Sequence, residues 1–304
     1  MLKKILILGA SGFIGKAVAR ELAESFDIRA FARKKTPDFD AYENIEPVTG
    51  DFAAVQAFDE ILQDVDTVVH LICTTVPGDD TKRIPAEIQE NVIPTVRLLE
   101  SMVHRKVKNI IFVSSAGAVY GETGDLINSV SAPLNPRCGY GVQKCVIEKY
   151  LLFYALRYGL NIKIMRVTNP YGWGQDTNKM QGLIPIFINR LLKGEEISIY
   201  GDGSHERDYL FIEDLVQAVR RVIEYSGNEH IFNIGYGHYY SINQIVEYIE
   251  KIAGRKFKRI NYVKSRFCDV HKSYVDIGHA QKILNWKPVI SLETGIELTV
   301  SRLT

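Results

Sequence analysis

The segment RCGYGVQKCVIEKY, residues 137–150, holds a tyrosine and a lysine four places apart, Tyr140 and Lys144, in a stretch with helical spacing. Residues four apart share one face of a helix, so an ammonium can stand beside the phenol. A close cation favours phenolate. Lowering a phenol pKa from near 10 by about two to three units needs roughly 3–4 kcal/mol of differential interaction. That would suit a group which moves a proton on a hydroxyl. Sixteen tyrosines make one such spacing unsurprising by chance, so the rest of the chain has to give the pair its meaning.

A second group lies at the start. GASGFIG places Gly9, Gly12 and Gly15, with Phe13 and Ile14 between the last two, after an aliphatic run and before a helical pattern. A strand, a glycine turn and a helix N-terminus set bare backbone amides against a pyrophosphate, in a field that favours negative charge. The acidic residue that usually binds the adenosine ribose after the second strand is missing. RAFARKK offers Arg33 there, which can pair with a ribose 2′-phosphate or simply be a solvated strand end. The cofactor expected is therefore NAD or NADP, with Arg33 favouring NADP. Asp51, followed by Phe52, could accept a hydrogen bond from adenine or cap a helix before Val55. HLICTT, with Leu71, should run its backbone along the cofactor.

These residues need elements to position them. KILILG (4–9), DIRAFAR (27–33), EPVTG (46–50), TVVHLI (67–72), VKNIIFVSS (107–115) and NIKIMRV (161–167) read as strands. Helical patterns separate them: FIGKAVARELAESF (13–26), VQAFDEILQDV (55–65), IPTVRLLESMVHRK (93–106), and the helix of Tyr140, running to about Tyr158. Alternating β and α segments predict an α/β fold, a Rossmann-type doubly wound parallel sheet with right-handed crossovers. The expected dinucleotide-binding domain is 1–168, with a later segment, about 208–235, returning to it. Residues 169–304 are expected to form mainly a smaller substrate-binding region.

Composition narrows the function. The chain has 304 residues, 46% apolar and 24% charged, with a formal net charge of +1. No block of like charge supports a nucleic-acid groove or a membrane surface. The apolar run near the start is too short for a signal peptide, and glycines end it. Cys73, Cys138, Cys145 and Cys268 show neither C-x-x-C spacing nor a histidine at zinc-ligand spacing. Reduced thiols, no metal and a cytoplasmic location are the expectation.

The glycine loop, VSSAGAVYG after the fifth strand and YGVQK opening the next helix together resemble an extended short-chain dehydrogenase/reductase. More narrowly, the chain resembles the NAD-dependent epimerase/dehydratase family, the nucleotide-sugar branch typified by UDP-glucose 4-epimerase. The likeness continues through RVTNPYG, GDGSHERDYLFIEDL, FNIG, SRFCDV and LNWKP, essentially the full length. It implies that Tyr140 is the acid/base and that Lys144 also binds the nicotinamide ribose. The family places a serine or threonine four residues before the tyrosine of VYG. Here that residue is Ala116, so Ser115 is taken as the third catalytic residue and as a substrate contact, ahead of Ser114. The resemblance further implies substrate contacts from Asn169, Arg207, Arg266 and Asp269, with Gln181, Gly182 and Leu183 lining a nucleotide pocket. Two forked guanidinium groups suit a diphosphate. Asn91 resembles an active-site-adjacent asparagine, or caps a helix bend. A homodimer is also implied, and Val146, Tyr150 and Tyr154 read as core or dimer interface.

Related dehydratases carry an Asp-Glu pair, and decarboxylases a glutamate, where this chain has SSAGAVYG. No side chain there can act as an additional acid or base. The leading expectation is a nucleotide-diphosphate-sugar 4-epimerase of UDP-hexose type. The rivals are an NADPH-dependent reductase of a 4-keto-6-deoxy sugar nucleotide, favoured by Arg33, and a non-catalytic NADP-binding sensor. An activated phenol has no use in a sensor.

Overall fold

In the computed structural model of the protein, residues 3–78, 81–177 and 182–303 are described. The run KILIL forms strand β1 (Lys4–Leu8), whose Leu6, Ile7 and Leu8 are wholly buried. Burial on both faces suits an inner parallel strand, whose neighbours are covered by helices on either side. The other strands of its sheet are β2 (Asp27–Ala32), β3 (Ile45–Thr49), β4 (Thr67–His70), β5 (Asn109–Ser115), β6 (Asn161–Val167) and β7 (Ile231–Ile234). Their order across the sheet is β7-β6-β5-β4-β1-β2-β3. β1 pairs in parallel with both β2 and β4, so the strand order reverses between β1 and β4. In such sheets, that switch point at the carboxyl ends is where ligands bind. The fold is α/β and Rossmann-like, as the alternation predicted.

Three helices matter to the site. α1 (Phe13–Leu22) buries Gly15, Val18, Ala19 and Leu22, a stripe three to four residues apart. α2 (Ile93–Arg105) follows a π-helical turn, Ile88–Val92, and stops where Lys106 turns left-handed. α3 (Gly139–Tyr158) carries Tyr140 and ends at the left-handed Gly159.

The chain forms two compact units. One comprises Met1–Ser115, Cys138–Arg166 and Val219–Phe232; the other comprises Ala116–Arg137, Val167–Ala218 and Asn233–Thr304. The second has a three-stranded sheet of Tyr239–Ser241, Glu206–Phe211 and Asn169–Tyr171, and two smaller sheets. Ser241 and Gln244 form a reciprocal capping box at the start of the helix Ile242–Ala253. Among the described residues, no helix is long and apolar enough to cross a membrane.

One expected element is absent. Residues 55–65 form turns rather than a helix. Phe58 donates its backbone N–H to Ser101 Oγ at 2.9 Å, and Asp64 sits at φ 58°. The apolar residues Phe58, Leu62 and Val65 are buried there. The one helical bond, Leu62 N to Phe58 O at 2.9 Å, gives way to three-residue turns, so their helix-like spacing records burial rather than a continued helix. Asp51 accordingly caps no helix; its side chain accepts from Ala53 N at 3.1 Å within a turn.

Candidate active site

The glycine loop is shaped by close backbone approach. Gly9 has φ 92°, and both Gly9 N and Ala10 N donate to Phe31 O, at 3.0 and 3.1 Å, tying the loop to β2. A Cβ on Gly15 would collide with the carbonyl oxygen of Gly9. Gly12 caps α1 with no side-chain hydrogen bond, and the first turn contains no acidic residue. The amides of Phe13, Ile14 and Gly15 therefore belong to the first turn, where N–H groups have no intrahelical acceptor. This loop fits a dinucleotide pyrophosphate.

Beyond the end of β2, a cleft of about 500 Å³ is lined by Ser11, Lys16, Arg33, Lys34, Lys35 and Thr36 among others. Arg33 is thus placed beside three lysines, where an adenosine ribose phosphate would need cations. Asp51 is exposed, whereas the ring of Phe52 is core, 5.3 Å from Phe58 and 5.1 Å from His70. Phe52 can meet a cofactor only through its backbone. Leu71 N donates to Leu8 O at 3.0 Å, which pins the chain leaving β4 alongside β1.

On α3, Tyr140 and Lys144 face the end of β5. Ser115 stands next to the phenol of Tyr140, where its hydroxyl favours the phenolate. Lys144 is buried and donates its Nζ to Val113 O at 2.9 Å, with the Phe112 ring 4.6 Å and the Tyr140 ring 5.8 Å from the ammonium. Burial pushes the Tyr140 phenol above its ordinary range, Cys73 adds to the effect, and Ser115 opposes it. Burial likewise pulls Lys144 down, while Cys73 and Glu148 oppose it. Among these side chains desolvation outweighs the Lys144 cation, which is held on a backbone carbonyl; the expected depression of the phenol counts an oxidised nicotinamide beside the lysine as well. A bound oxidised nicotinamide would supply the hydride acceptor and a further positive charge.

Ser114 points elsewhere. Its Oγ donates to Glu148 Oε1 at 2.5 Å, and Arg166 reaches Glu148 Oε2 at 2.7 Å. Asn91, in the π-helical turn, accepts from Thr74 N and donates to Thr74 Oγ1, both at 2.9 Å, and to Glu87 O at 3.1 Å. Asn91 thereby fixes the loop after β4.

In the second unit, Asn169 donates its amide to Asp208 O at 2.9 Å. Arg207 donates to Glu206 O at 2.8 Å, and Arg266 binds Asp269 in a fork whose shortest contact is 2.7 Å. The Arg266 guanidinium also lies 4.6 Å from the centre of the Tyr200 ring. His205 and His271 are neighbours, with ring centroids 5.1 Å apart. Burial holds His205 below its ordinary range, with the Arg207 cation adding to the effect. Gly182, at φ 105°, precedes the helix Leu183–Leu192. Gln181 lies outside the described residues.

The model of the NAD dependent epimerase/dehydratase family matches residues 5–235. The chain belongs to that family. It is 34% identical over 303 residues to the dTDP-4-dehydro-6-deoxyglucose reductase of Escherichia coli, covering 96% of this chain and 95% of the relative. The UDP-glucose 4-epimerase of Thermotoga maritima, solved with UDP-glucose, is 32% identical, with a TM-score of 0.92 over 98% of each chain. The UDP-glucuronic acid 4-epimerase of Bacillus cereus, solved with UDP-glucuronic acid and NAD, has a TM-score of 0.89 at 26% identity. That alignment covers 99% of this chain and 98% of the neighbour.

As a member of this epimerase/dehydratase family, the protein is an enzyme, an epimerase or a 4-reductase of nucleotide sugars. Some of the residues around its site escaped the sequence reading. No spacing in the sequence marks Lys16 or Thr36, since one lies on a helix and the other in a loop, and only the fold links them. Glu148 follows Lys144 by one helical turn, so its spacing was a signal; its partner Arg166 lies on β6, beyond any periodicity.

Proposed function

We propose that the protein is a nucleotide-diphosphate-sugar 4-epimerase acting on a UDP-hexose. The observation that supports it best is Ser115 next to the phenol of Tyr140, with Lys144 one helical turn on, in a chain whose SSAGAVYG segment carries no additional acid or base. Tyr140 takes the proton of the sugar 4-hydroxyl as its hydride leaves, and Ser115 orients the same oxygen. Return of hydride to the other face, with Tyr140 giving the proton back, inverts carbon 4. Lys144 binds the nicotinamide ribose and keeps positive charge near the phenol.

The cofactor is NAD or NADP, held by Gly9, Gly12, Phe13, Ile14 and Gly15, with Asp51, Phe52 and Leu71 along its length. The cationic cleft at Arg33 favours NADP. Asn169, Arg207, Arg266 and Asp269, with Gly182 and Leu183, are read as the contacts of the sugar nucleotide. The outer face of α3, where Val142, Val146, Tyr150 and Phe153 are exposed, is read as a homodimer contact; Tyr154 instead faces the core. Four free thiols suit a cytoplasmic location.

The second reading is a reductase of a 4-keto-6-deoxy sugar nucleotide. It uses the same residues once, and the same cationic cleft favours it, because net reduction draws on NADPH. Chromatography of products from UDP-, dTDP- and GDP-sugars, with and without added NADPH, separates the two. Identification by mass spectrometry of the dinucleotide retained through purification tests the cofactor.

A further inference from the structure

Lys16 and Arg20 stand one turn apart on α1, and both reach the same oxygen of Asp38, at 2.9 and 3.2 Å. Asp38 lies in a short turn, Pro37–Phe39, anchored by the buried ring of Phe39 and by a Phe39 N to Thr36 O bond of 3.0 Å. The hydrogen bond from Lys16 holds the Asp38 carboxyl below the usual carboxylate range. Lys16 is also a wall of the cleft formed with Arg33, Lys34, Lys35 and Thr36. Lys35 has its own partner, Asp40, at 2.9 Å. Arg33 and Lys34 form no ion pair among the described residues.

Four cations and a buried threonine around one cleft suit a multiply charged anion, in a chain whose formal net charge is only +1. Two of those cations already answer to carboxylates of the same loop. We propose that Asp38 is a specificity-determining residue of the dinucleotide site, a resident anion that competes with a ribose 2′-phosphate for Lys16. This rests on the NADP reading above. The ion pairs of Asp38 are partly exposed, and pairs of that kind are individually weak, so a phosphate can displace them. What remains after displacement is repulsion between the carboxylate and the phosphate, a few ångströms to a Debye length apart. A dinucleotide without the phosphate meets neither effect. Asp38 thus moderates NADP affinity and leaves NAD affinity alone.

The test is equilibrium binding of NADP and NAD to the full chain, by calorimetry, for wild type, Asp38→Asn, Asp38→Ser and Arg33→Ala. Both Asp38 variants are expected to bind NADP more tightly by on the order of 3- to 10-fold, with NAD changed less than about twofold. The gain should shrink as salt is raised. Arg33→Ala is expected to weaken NADP alone. If Arg33→Ala weakens NADP but both Asp38 variants leave it unchanged or weaker, the role of Asp38 is overturned while the NADP reading stands. If wild type binds the two dinucleotides equally and Arg33→Ala alters neither, the NADP reading fails, and the proposal with it.

Discussion

Ser114 and Ser115 are neighbours in sequence, yet the alternation of a strand sends them into different networks. Ser115 meets the Tyr140 phenol, whereas Ser114 serves the buried pair of Glu148 and Arg166. Tyr140→Phe removes only the phenol oxygen, so turnover should fall on the order of 100- to 10,000-fold with dinucleotide binding preserved. Steady-state rates and cofactor titration check this; Ser115→Ala should lose less rate, with little change in melting temperature. Equal rate losses in Ser115→Ala and Ser114→Ala would refute that division. Glu148→Gln should instead act on stability. It removes the carboxylate charge facing the buried Arg166 guanidinium, and breaking such a pair costs about 3–5 kcal/mol, readable by denaturant unfolding. The tyrosine and lysine could be found from sequence because both lie within one helical turn. Arg166 could not, because only the packing of β6 against α3 brings it there.

At the scale of elements, periodicity located the strands well, since an inner strand is aliphatic for a physical reason and glycines mark its ends. It failed at residues 55–65, where buried Phe58, Leu62 and Val65 mimic a helix although the backbone turns on Ser101 and on the left-handed Asp64. Nor did it show the clamp at Asp208. This buried carboxylate accepts from Tyr236 N and Gly237 N at 2.8 Å each and from Thr168 Oγ1 at 3.2 Å, fixing the loop after β7 to the strand Glu206–Phe211. Burial nevertheless raises its pKa from 3.8 to about 6, outweighing those three donors. A carboxyl whose folded pKa lies above its unfolded value binds a proton more tightly when folded. Its stabilisation is complete below about 3.8 and lost as pH rises through about 6. Thermal melts across pH 4 to 7 should therefore show Asp208→Asn gaining on wild type as pH rises. A constant difference between the two would show that Asp208 titrates normally.

For the whole molecule, the family was legible because its motifs are ordered along nearly the full chain, each tied to a strand end or a helix start. The compact units were harder to see. The chain passes between them at Ser115, Arg137, Arg166, Ala218 and Phe232, and of these only Arg137, within PLNPRCGYG, is marked by prolines and glycines. The reaction is decided at this scale too, because epimerase and reductase can share one phenol, one serine and one lysine. An epimerase returns the hydride it takes, so it needs no external reductant and leaves the cofactor redox state unchanged. A reductase consumes one NADPH per product and has nothing to reduce in a saturated hexose. With UDP-glucose, UDP-galactose or their N-acetyl forms, the protein should yield the 4-epimer with no steady change in the near-ultraviolet band of reduced nicotinamide. Equilibrium should be reached from either side, and Tyr140→Phe should abolish both directions. If every saturated sugar is returned unchanged, and a dTDP- or UDP-4-keto-6-deoxy sugar oxidises NADPH one for one, the epimerase reading is wrong and the reductase takes its place.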